Sequence, residues 1–164
     1  MSLKSRGFTL VEMLAVIAVI AILALMAVPS YFDRIVKAQI EASLPLADIA
    51  KKPIAAQWAL TQTLPADNAA AGLPTADKIV GNYVSAVTVQ DGVINITFGN
   101  RAHKAISGKI LSLRPAVVED TPVVPVIWVC GRAEAPAKTA LKGVDQTNID
   151  NLYLPLECRA LKPT

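Results

Sequence analysis

The chain has 164 residues, of which 53% are hydrophobic and 18% are charged, and its formal net charge is +3. This length supports one compact domain and argues against a multi-domain enzyme. The charged fraction lies below the globular norm of about 25%, and the mean hydropathy of +0.44 is high for a water-soluble protein. Part of the chain is therefore suited to an apolar environment.

The apolar excess lies in residues 8–28, FTLVEMLAVIAVIAILALMAV, where Glu12 is the only charged residue. A helix of about 20 apolar residues spans the hydrocarbon core of a bilayer. Lys4 and Arg6 precede the run without an acidic residue, so we expect a cytoplasmic N-terminus and export of the remainder. Bulky residues after Val28 argue against a cleaved secretory signal, and an uncleaved signal anchor remains the alternative. A carboxylate inside a membrane segment costs about 2.5 to 3.5 kcal/mol, so we expect Glu12 to have a cationic partner.

Residues 4–12, KSRGFTLVE, followed by the apolar run, resemble the processing motif of type IV pilins. The short leader is similar to that of the type IVa class. The resemblance implies that a prepilin peptidase cleaves between Gly7 and Phe8 and N-methylates the new amine of Phe8. It also implies that Glu12 pairs with this amine on a neighbouring subunit, with Thr9 as a further hydrogen-bonding group for assembly.

Pro29 removes one helical hydrogen bond, so we expect a helix break there, as a kink or as a locally melted stretch. Ala21 occupies a position that is commonly glycine in pilins. Because alanine is the best helix former, the extent of melting between Ala21 and Pro29 stays open.

Charged and apolar residues are interleaved at helical spacing over residues 31–62, which predicts an amphipathic helix packed on a sheet. Pro45 and Pro53 fall within this stretch. We expect a continuous but bent helix, and a clean break at either proline is the alternative. Residues 64–81 contain Pro, Asn and Gly, which predicts a surface connection.

Two alternating runs, residues 83–90 and 93–98, flank Asp91-Gly92, which predicts a β-hairpin with a type I′ turn. The triplet that begins at Asn95 matches a glycosylation sequon, but we interpret it as part of the strand.

Residues 109–118 and 123–130 predict two further strands, with Pro115 and Pro125 at edges or strand ends. The predicted fold class is therefore α+β, and the resemblance implies that the fold is type IV pilin-like. A long N-terminal α-helix, half of it membrane-spanning, packs on a four-stranded antiparallel sheet with a C-terminal disulfide loop.

Two cysteines in an exported chain predict one disulfide, Cys130–Cys158, which the resemblance to pilins also implies. The enclosed residues 131–157 are rich in Gly, Pro, Lys, Asp and Asn, so we expect a variable surface loop with little core of its own. We expect Trp128 to lie in the core beneath the bridge. One histidine and no second cysteine pair disfavour a metal site, and no cofactor is expected.

The only histidine, His103, lacks the nucleophile and acid of a catalytic triad, and no glycine-rich phosphate loop is present, so we do not expect an enzyme. A basic stretch around His103 is a candidate DNA contact, although a solvated surface is the interpretation that we favour. The residues of this candidate contact are Arg101, Lys104, Lys109 and Arg114.

The resemblance implies a leader in residues 1–7, a transmembrane and filament-core helix in 8–30, its amphipathic half in 31–62, and a sheet-containing head in 63–164 with the loop 130–158. It implies a structural subunit of a type IV pilus that serves attachment and twitching motility. The precursor is expected in the inner membrane of a Gram-negative bacterium, with a periplasmic head, and the product in an extracellular filament.

The implied partners are other pilin subunits in a homopolymer, the prepilin peptidase and N-methyltransferase, an assembly ATPase, a platform protein and a secretin. Alternatives are a minor or DNA-binding competence pilin, a type II secretion pseudopilin, and a plain membrane-anchored periplasmic protein. The disulfide loop favours a pilin over a major pseudopilin.

Overall fold

The computed structural model describes residues 7–160, and for residues 27–30 the backbone alone. The predicted leader therefore lies outside the described residues except for Gly7. Two helices precede five strands: α1 (Leu10–Ser43), α2 (Asp48–Thr61), β1 (Val84–Gln90), β2 (Val93–Phe98), β3 (Ile110–Val117), β4 (Ile127–Cys130) and β5 (Ala140–Leu141). The chain divides into two compact units, the first ending at Ile35 and the second beginning at Val36. The predicted α+β class, with an antiparallel sheet and a C-terminal disulfide, is confirmed.

Helix α1 continues through Pro29. A helix can accommodate a proline by losing one hydrogen bond and bending, without unwinding. The backbone of residues 21–29 is helical, so the melted stretch that we considered is absent. Ala21 favours this outcome, and a kink at Pro29 stays a prediction.

The helical backbone changes at Pro45, where Leu44–Ala47 form a 3₁₀ turn between α1 and α2. Proline lacks the N–H that would continue the α-helical pattern, and a tighter turn is a common solution. Pro53 lies inside α2, which ends where Gln62 adopts left-handed backbone with φ 54°. The helical stretch 31–62 is thus interrupted by one 3₁₀ turn, and neither proline causes a clean break.

The predicted β-hairpin is confirmed. β1 and β2 pair antiparallel, and the two turn residues Asp91 and Gly92 have φ values of 49° and 80°. Positive φ at both positions is the mark of a type I′ turn. Asn95 lies in β2, is 3% exposed, and accepts a hydrogen bond from the Ser112 hydroxyl at 2.6 Å, so the triplet belongs to the strand as interpreted.

The prediction that Pro115 lies at an edge or a strand end is wrong, because β3 lies between β2 and β4 in the sheet. On one side of β3, pairing with β2 ends at Leu113 and pairing with β5 begins at Ala116. Pro115 lies between these two sets of paired residues, so the backbone N–H that proline lacks is not needed for pairing on this side. Its carbonyl accepts a hydrogen bond from the Lys142 N–H at 2.9 Å.

Strand β4 is shorter than predicted, and β5 is an addition to the four predicted strands. β4 begins at Ile127 rather than at residue 123. The preceding backbone turns instead, with the Val124 N–H donating to the Thr121 carbonyl at 3.0 Å, and Pro125 cannot donate to a ladder. β5 has two residues, too few to show a polarity pattern.

One face of the sheet packs on the helices. Val36 and Ile40 lie one turn apart at the end of α1, and Ile54 lies on α2; all three are fully buried. They share a core cluster with Ile94 and Ile96 of β2, which point to the same side of the sheet because strand side chains alternate.

The opposite face of the sheet is covered by residues 143–146 of the disulfide loop. Ser112 points to this face, and its hydroxyl oxygen accepts a hydrogen bond from the Gln146 N–H at 2.9 Å. Gly143 lies so close to Val93 that a Cβ at Gly143 would be 2.1 Å from Val93 Cγ2. The loop predicted as surface therefore forms a second cover for the sheet.

The connection 64–81 covers the free edge of β1 and is partly buried, in contrast to the predicted surface connection. Asn68 is 8% exposed. Its amide oxygen accepts from the Val89 N–H at 2.6 Å, and its amide nitrogen donates to the Val87 carbonyl at 3.0 Å. One side chain thus takes the place of a neighbouring strand and protects the edge from pairing with another chain.

Replacing Gly143 by alanine is expected to lower the free energy of unfolding by about 1 to 3 kcal/mol more than Gly108→Ala, because a Cβ there collides with Val93. Gly108 is the matched control: its φ is 74° against 77° at Gly143, and no atom lies within 4 Å of its Cβ position. Urea unfolding of the full chain in detergent micelles measures the difference. Equal midpoints for the two variants would contradict the close packing of the loop on the sheet.

Candidate functional site

The predicted membrane-spanning segment is an exposed apolar helix. Among the described residues, the stretch from Leu10 is the one helix long and apolar enough to cross a bilayer. Thirteen large apolar side chains between Phe8 and Met26 are exposed, from 44% at Val16 to 77% at Leu10. Such a surface marks contact with lipid or with other protein.

Glu12 forms a capping box with Thr9 at the start of α1. Glu12 Oε2 accepts hydrogen bonds from the Thr9 N–H at 2.8 Å and from the Thr9 hydroxyl at 2.6 Å. In return, the Glu12 N–H donates to Thr9 Oγ1 at 3.3 Å. These bonds satisfy groups that the first helical turn leaves unpaired. Sequence reasoning placed both residues at the assembly junction but missed this interaction, which the Thr-x-x-Glu spacing signals.

The capping box leaves part of Glu12 available. Within residues 7–160, the hydrogen bonds to its carboxylate all go to Oε2, so Oε1 can still accept from a cation. The nearby Gly7–Phe8 bond lies in non-helical backbone before α1. Phe8 is 69% exposed, and among the described residues no atom other than those of its chain neighbours lies within 4 Å of the position of a Gly7 Cβ. The described residues therefore leave the bond predicted to be cleaved exposed on its Phe8 side.

The predicted disulfide Cys130–Cys158 is confirmed. The loop that it closes contributes more to the core than predicted, because Ile149 and Leu154 are fully buried. Trp128 is half-buried and packs against the core cluster that contains both cysteines. The loop is thus a structural part of the head and not a surface appendage.

Three arginines hold the backbone of the disulfide loop, which has little regular secondary structure. Each guanidinium donates to a carbonyl oxygen that would otherwise need a partner, and such charge-assisted bonds are strong. The contacts are Arg114 to the Gly131 carbonyl at 2.8 Å, Arg132 to the Thr147 carbonyl at 3.3 Å, and Arg159 to the Leu154 carbonyl at 2.8 Å. Sequence reasoning missed the last two arginines, because their targets are set by the path of the loop.

The four basic residues of the candidate DNA contact do not act as one group. Arg101, Lys104 and Lys109 are exposed on the connection between β2 and β3. Arg114 instead lies within β3, where its guanidinium is half-buried against the disulfide loop. It is part of the packing of the head, since one of its terminal nitrogens donates to the Gly131 and Ala133 carbonyls.

His103 has a local role in the same connection. Its N–H donates to Gln39 Oε1 at 2.8 Å, and its Nδ1 accepts from the Ala105 N–H at 3.2 Å. Within the described residues, no three His, Cys, Asp or Glu side chains are grouped to hold a metal ion.

An exposed apolar helix that begins with one capped carboxylate, together with a sheet-containing head closed by a C-terminal disulfide, defines a filament subunit of the pilin type. The pilin family of bacterial filament proteins matches residues 36–159, and the prokaryotic N-terminal methylation motif matches residues 2–28. The chain therefore belongs to the pilin family, which is a family of structural subunits.

Similar proteins cover almost the whole chain. The type IV major pilin protein PilE1 of Neisseria gonorrhoeae is 37% identical over 97% of this chain and 89% of that protein. A fimbrial protein of Neisseria meningitidis serogroup B is 33% identical, with 97% and 96% covered. The fimbrial protein EcpC of Eikenella corrodens is also 33% identical, with 97% and 94% covered.

Replacing both Cys130 and Cys158 by serine is expected to lower the free energy of unfolding by roughly 3 to 4 kcal/mol, because the bridge closes a loop with a sequence separation of 28. Urea unfolding of the full chain in micelles measures the change. The oxidised wild-type chain is the reference, and its reduced form should unfold like the double variant. An unchanged midpoint would mean that the bridge contributes nothing to stability.

Replacing Thr9 by valine is expected to weaken the first turn of α1 by about 1 kcal/mol, because the hydroxyl of the capping box is lost while the shape is kept. Carbon chemical shifts of residues 10–13, recorded by NMR on the full chain in micelles, report the helicity of this turn. Thr9→Ser is the control that keeps the hydroxyl. Equal helicity in both variants would contradict the capping role.

Proposed function

We propose that this chain is the major structural subunit of a type IV pilus. The observation that carries the proposal is the exposed apolar helix of a pilin-family chain with a single carboxylate, Glu12, in its first turn. The similar proteins named type IV major pilin and fimbrial protein support it. The same names do not favour a minor competence pilin or a type II secretion pseudopilin.

Processing begins with cleavage between Gly7 and Phe8 by a prepilin peptidase, which also methylates the new amine. The match to the N-terminal methylation motif supports this step. The accessible backbone at Gly7 and the exposed ring of Phe8 are compatible with entry into a peptidase site. Cleavage removes the leader 1–7 and creates the only cationic group within the apolar run.

Assembly then pairs this amine with Glu12 of a neighbouring subunit. Thr9 occupies Oε2 of the carboxylate, and Oε1 accepts from the amine. A charge-assisted hydrogen bond in an apolar surrounding is strong when both partners are present, and a buried charge without its partner is costly. A subunit that enters out of register leaves Glu12 unpaired, so the pair fixes the axial position of each subunit.

We propose that residues 8–30 form the membrane and filament-core segment, that residues 31–62 extend this helix, and that residues 63–164 form the head. The precursor resides in the inner membrane of a Gram-negative bacterium with its head in the periplasm, where Cys130 and Cys158 are oxidised. An assembly ATPase, a platform protein and a secretin deliver the extracellular homopolymer, which serves attachment and twitching motility.

Replacing Glu12 by valine or by glutamine is expected to abolish filaments while membrane insertion is retained. Glutamine still accepts the hydrogen bonds of the capping box but has no charge, so it separates capping from ion pairing. Glu41→Gln, which removes an exposed acid near the end of α1, is the matched control. The readout is the subunit recovered in sheared surface filaments relative to the subunit in membranes.

Normal filaments from Glu12→Gln would contradict the ion pair and leave capping as the role of Glu12. Failure of all three variants would indicate a general loss of stability. Absence of filaments from the wild-type chain would contradict the proposed function itself.

A further inference from the structure

The two ends of the sheet carry opposite charge. Because the strands are antiparallel, the β1–β2 turn and the β3–β4 connection lie at one end of the sheet, and the β2–β3 connection lies at the other. We call them the acidic end and the basic end. Exposed residues of the acidic end are Asp91, Glu119 and Asp120, and those of the basic end are Arg101, Lys104 and Lys109.

Most of these charges have no ion-pair partner among the described residues of the subunit. Three ion pairs join described residues, and Glu119, which pairs with Lys142, is the only residue of either end that takes part. Asp67 adds a negative charge to the acidic end. The Asp91 N–H donates to the carbonyl of Ala66 at 3.1 Å, and Ala66 directly precedes Asp67 in the chain. The acidic end therefore keeps an excess of negative charge over Lys138, which lies just before β5 at the same end, and the basic end keeps its three positive charges.

The two ends are too far apart to neutralise each other within one head. Strand β2 has six residues and so spans about 20 Å, whereas charges are screened beyond about 8 Å at physiological salt. The basic end is also held in place. The Gly108 N–H donates to the Phe98 carbonyl at 2.9 Å, the His103 N–H donates to Gln39 Oε1, and Ile106 is fully buried beneath the connection. Its cations are presented by ordered backbone.

We propose that the basic end of one head contacts the acidic end of a second copy of this chain, an inference that rests on the proposed filament function. The two surfaces are different and complementary, so the contact is heterologous. A heterologous contact that does not close into a ring repeats to form a helical fibre. Like ends repel, so the same charges select the register and polarity of head packing.

A second copy fits these observations better than nucleic acid. DNA binding would use the basic end alone and would leave the excess charge of the acidic end without a role. Arg114, which would extend a phosphate-binding surface, is committed to the disulfide loop. A second copy uses both ends, and every subunit carries both.

The test is a charge swap in the full chain expressed in its piliated host. Arg101→Glu with Lys104→Glu reverses the basic end, and Glu119→Lys with Asp120→Lys reverses the acidic end. Each double variant is expected to reduce the subunit in sheared filaments by about tenfold or more, because like charges then face each other. The fourfold variant restores complementarity with reversed sign and is expected to recover filaments.

Lys52→Glu is the control, because Lys52 is exposed on α2 outside the two ends and its reversal changes the net charge by half as much as the basic-end variant. This control is expected to assemble normally. Total subunit and disulfide formation in each strain establish that the heads fold.

Filaments at wild-type level from both double variants would overturn the proposal, as would failure of the fourfold variant with a folded head. Normal filaments that no longer retain DNA, when only the basic end is reversed, would overturn it in favour of nucleic-acid binding. The unmodified strain separates this proposal from the proposed function. If the wild-type chain forms no filaments, the proposed function itself is contradicted.

Discussion

The apolar side chains of α1 between Phe8 and Met26 are exposed in the isolated chain, and water is an unfavourable environment for them. Burying thirteen such groups is worth on the order of 20 kcal/mol or more, against about 3 kcal/mol for placing Glu12 in a bilayer. The burial of the apolar run therefore outweighs the cost of burying Glu12, and transfer of the segment out of water is favourable. It does not choose between lipid and neighbouring helices, because both are equally apolar. In our account that choice falls to Glu12, whose capped carboxylate keeps one oxygen for the amine of another subunit.

The head has a small core, and several contacts outside this core stabilise its fold. Helices cover one face of the sheet, residues 143–146 cover the other, and Asn68 closes the edge of β1. The disulfide Cys130–Cys158 and three arginines hold the disulfide loop, which has little secondary structure of its own. The exposed residues of the loop can therefore vary, provided that the backbone anchors and the buried side chains are kept.

Features encoded locally were predictable from the sequence. The β1–β2 hairpin follows from alternating polarity around Asp91-Gly92, and the apolar half of α1 follows from composition. Features that depend on distant contacts were not. Pro115 is tolerated in a central strand because it lies between the residues of β3 that pair with β2 and those that pair with β5. The burial of Ile149 and Leu154 depends on the path of the loop. At the site, sequence located Glu12 and Thr9 but could not separate Arg114 from the basic connection, because that distinction depends on which carbonyls the guanidinium reaches.

The central claim is that this chain becomes a filament subunit by exposing the amine of Phe8. The most direct measurement is the intact mass of subunits recovered from sheared surface filaments. The account predicts the mass of the chain from Phe8 onward, increased by one methyl group and decreased by the two hydrogens lost on formation of the disulfide. The full-length mass, found in membranes and absent from any surface filament, would contradict it and leave a signal-anchored protein.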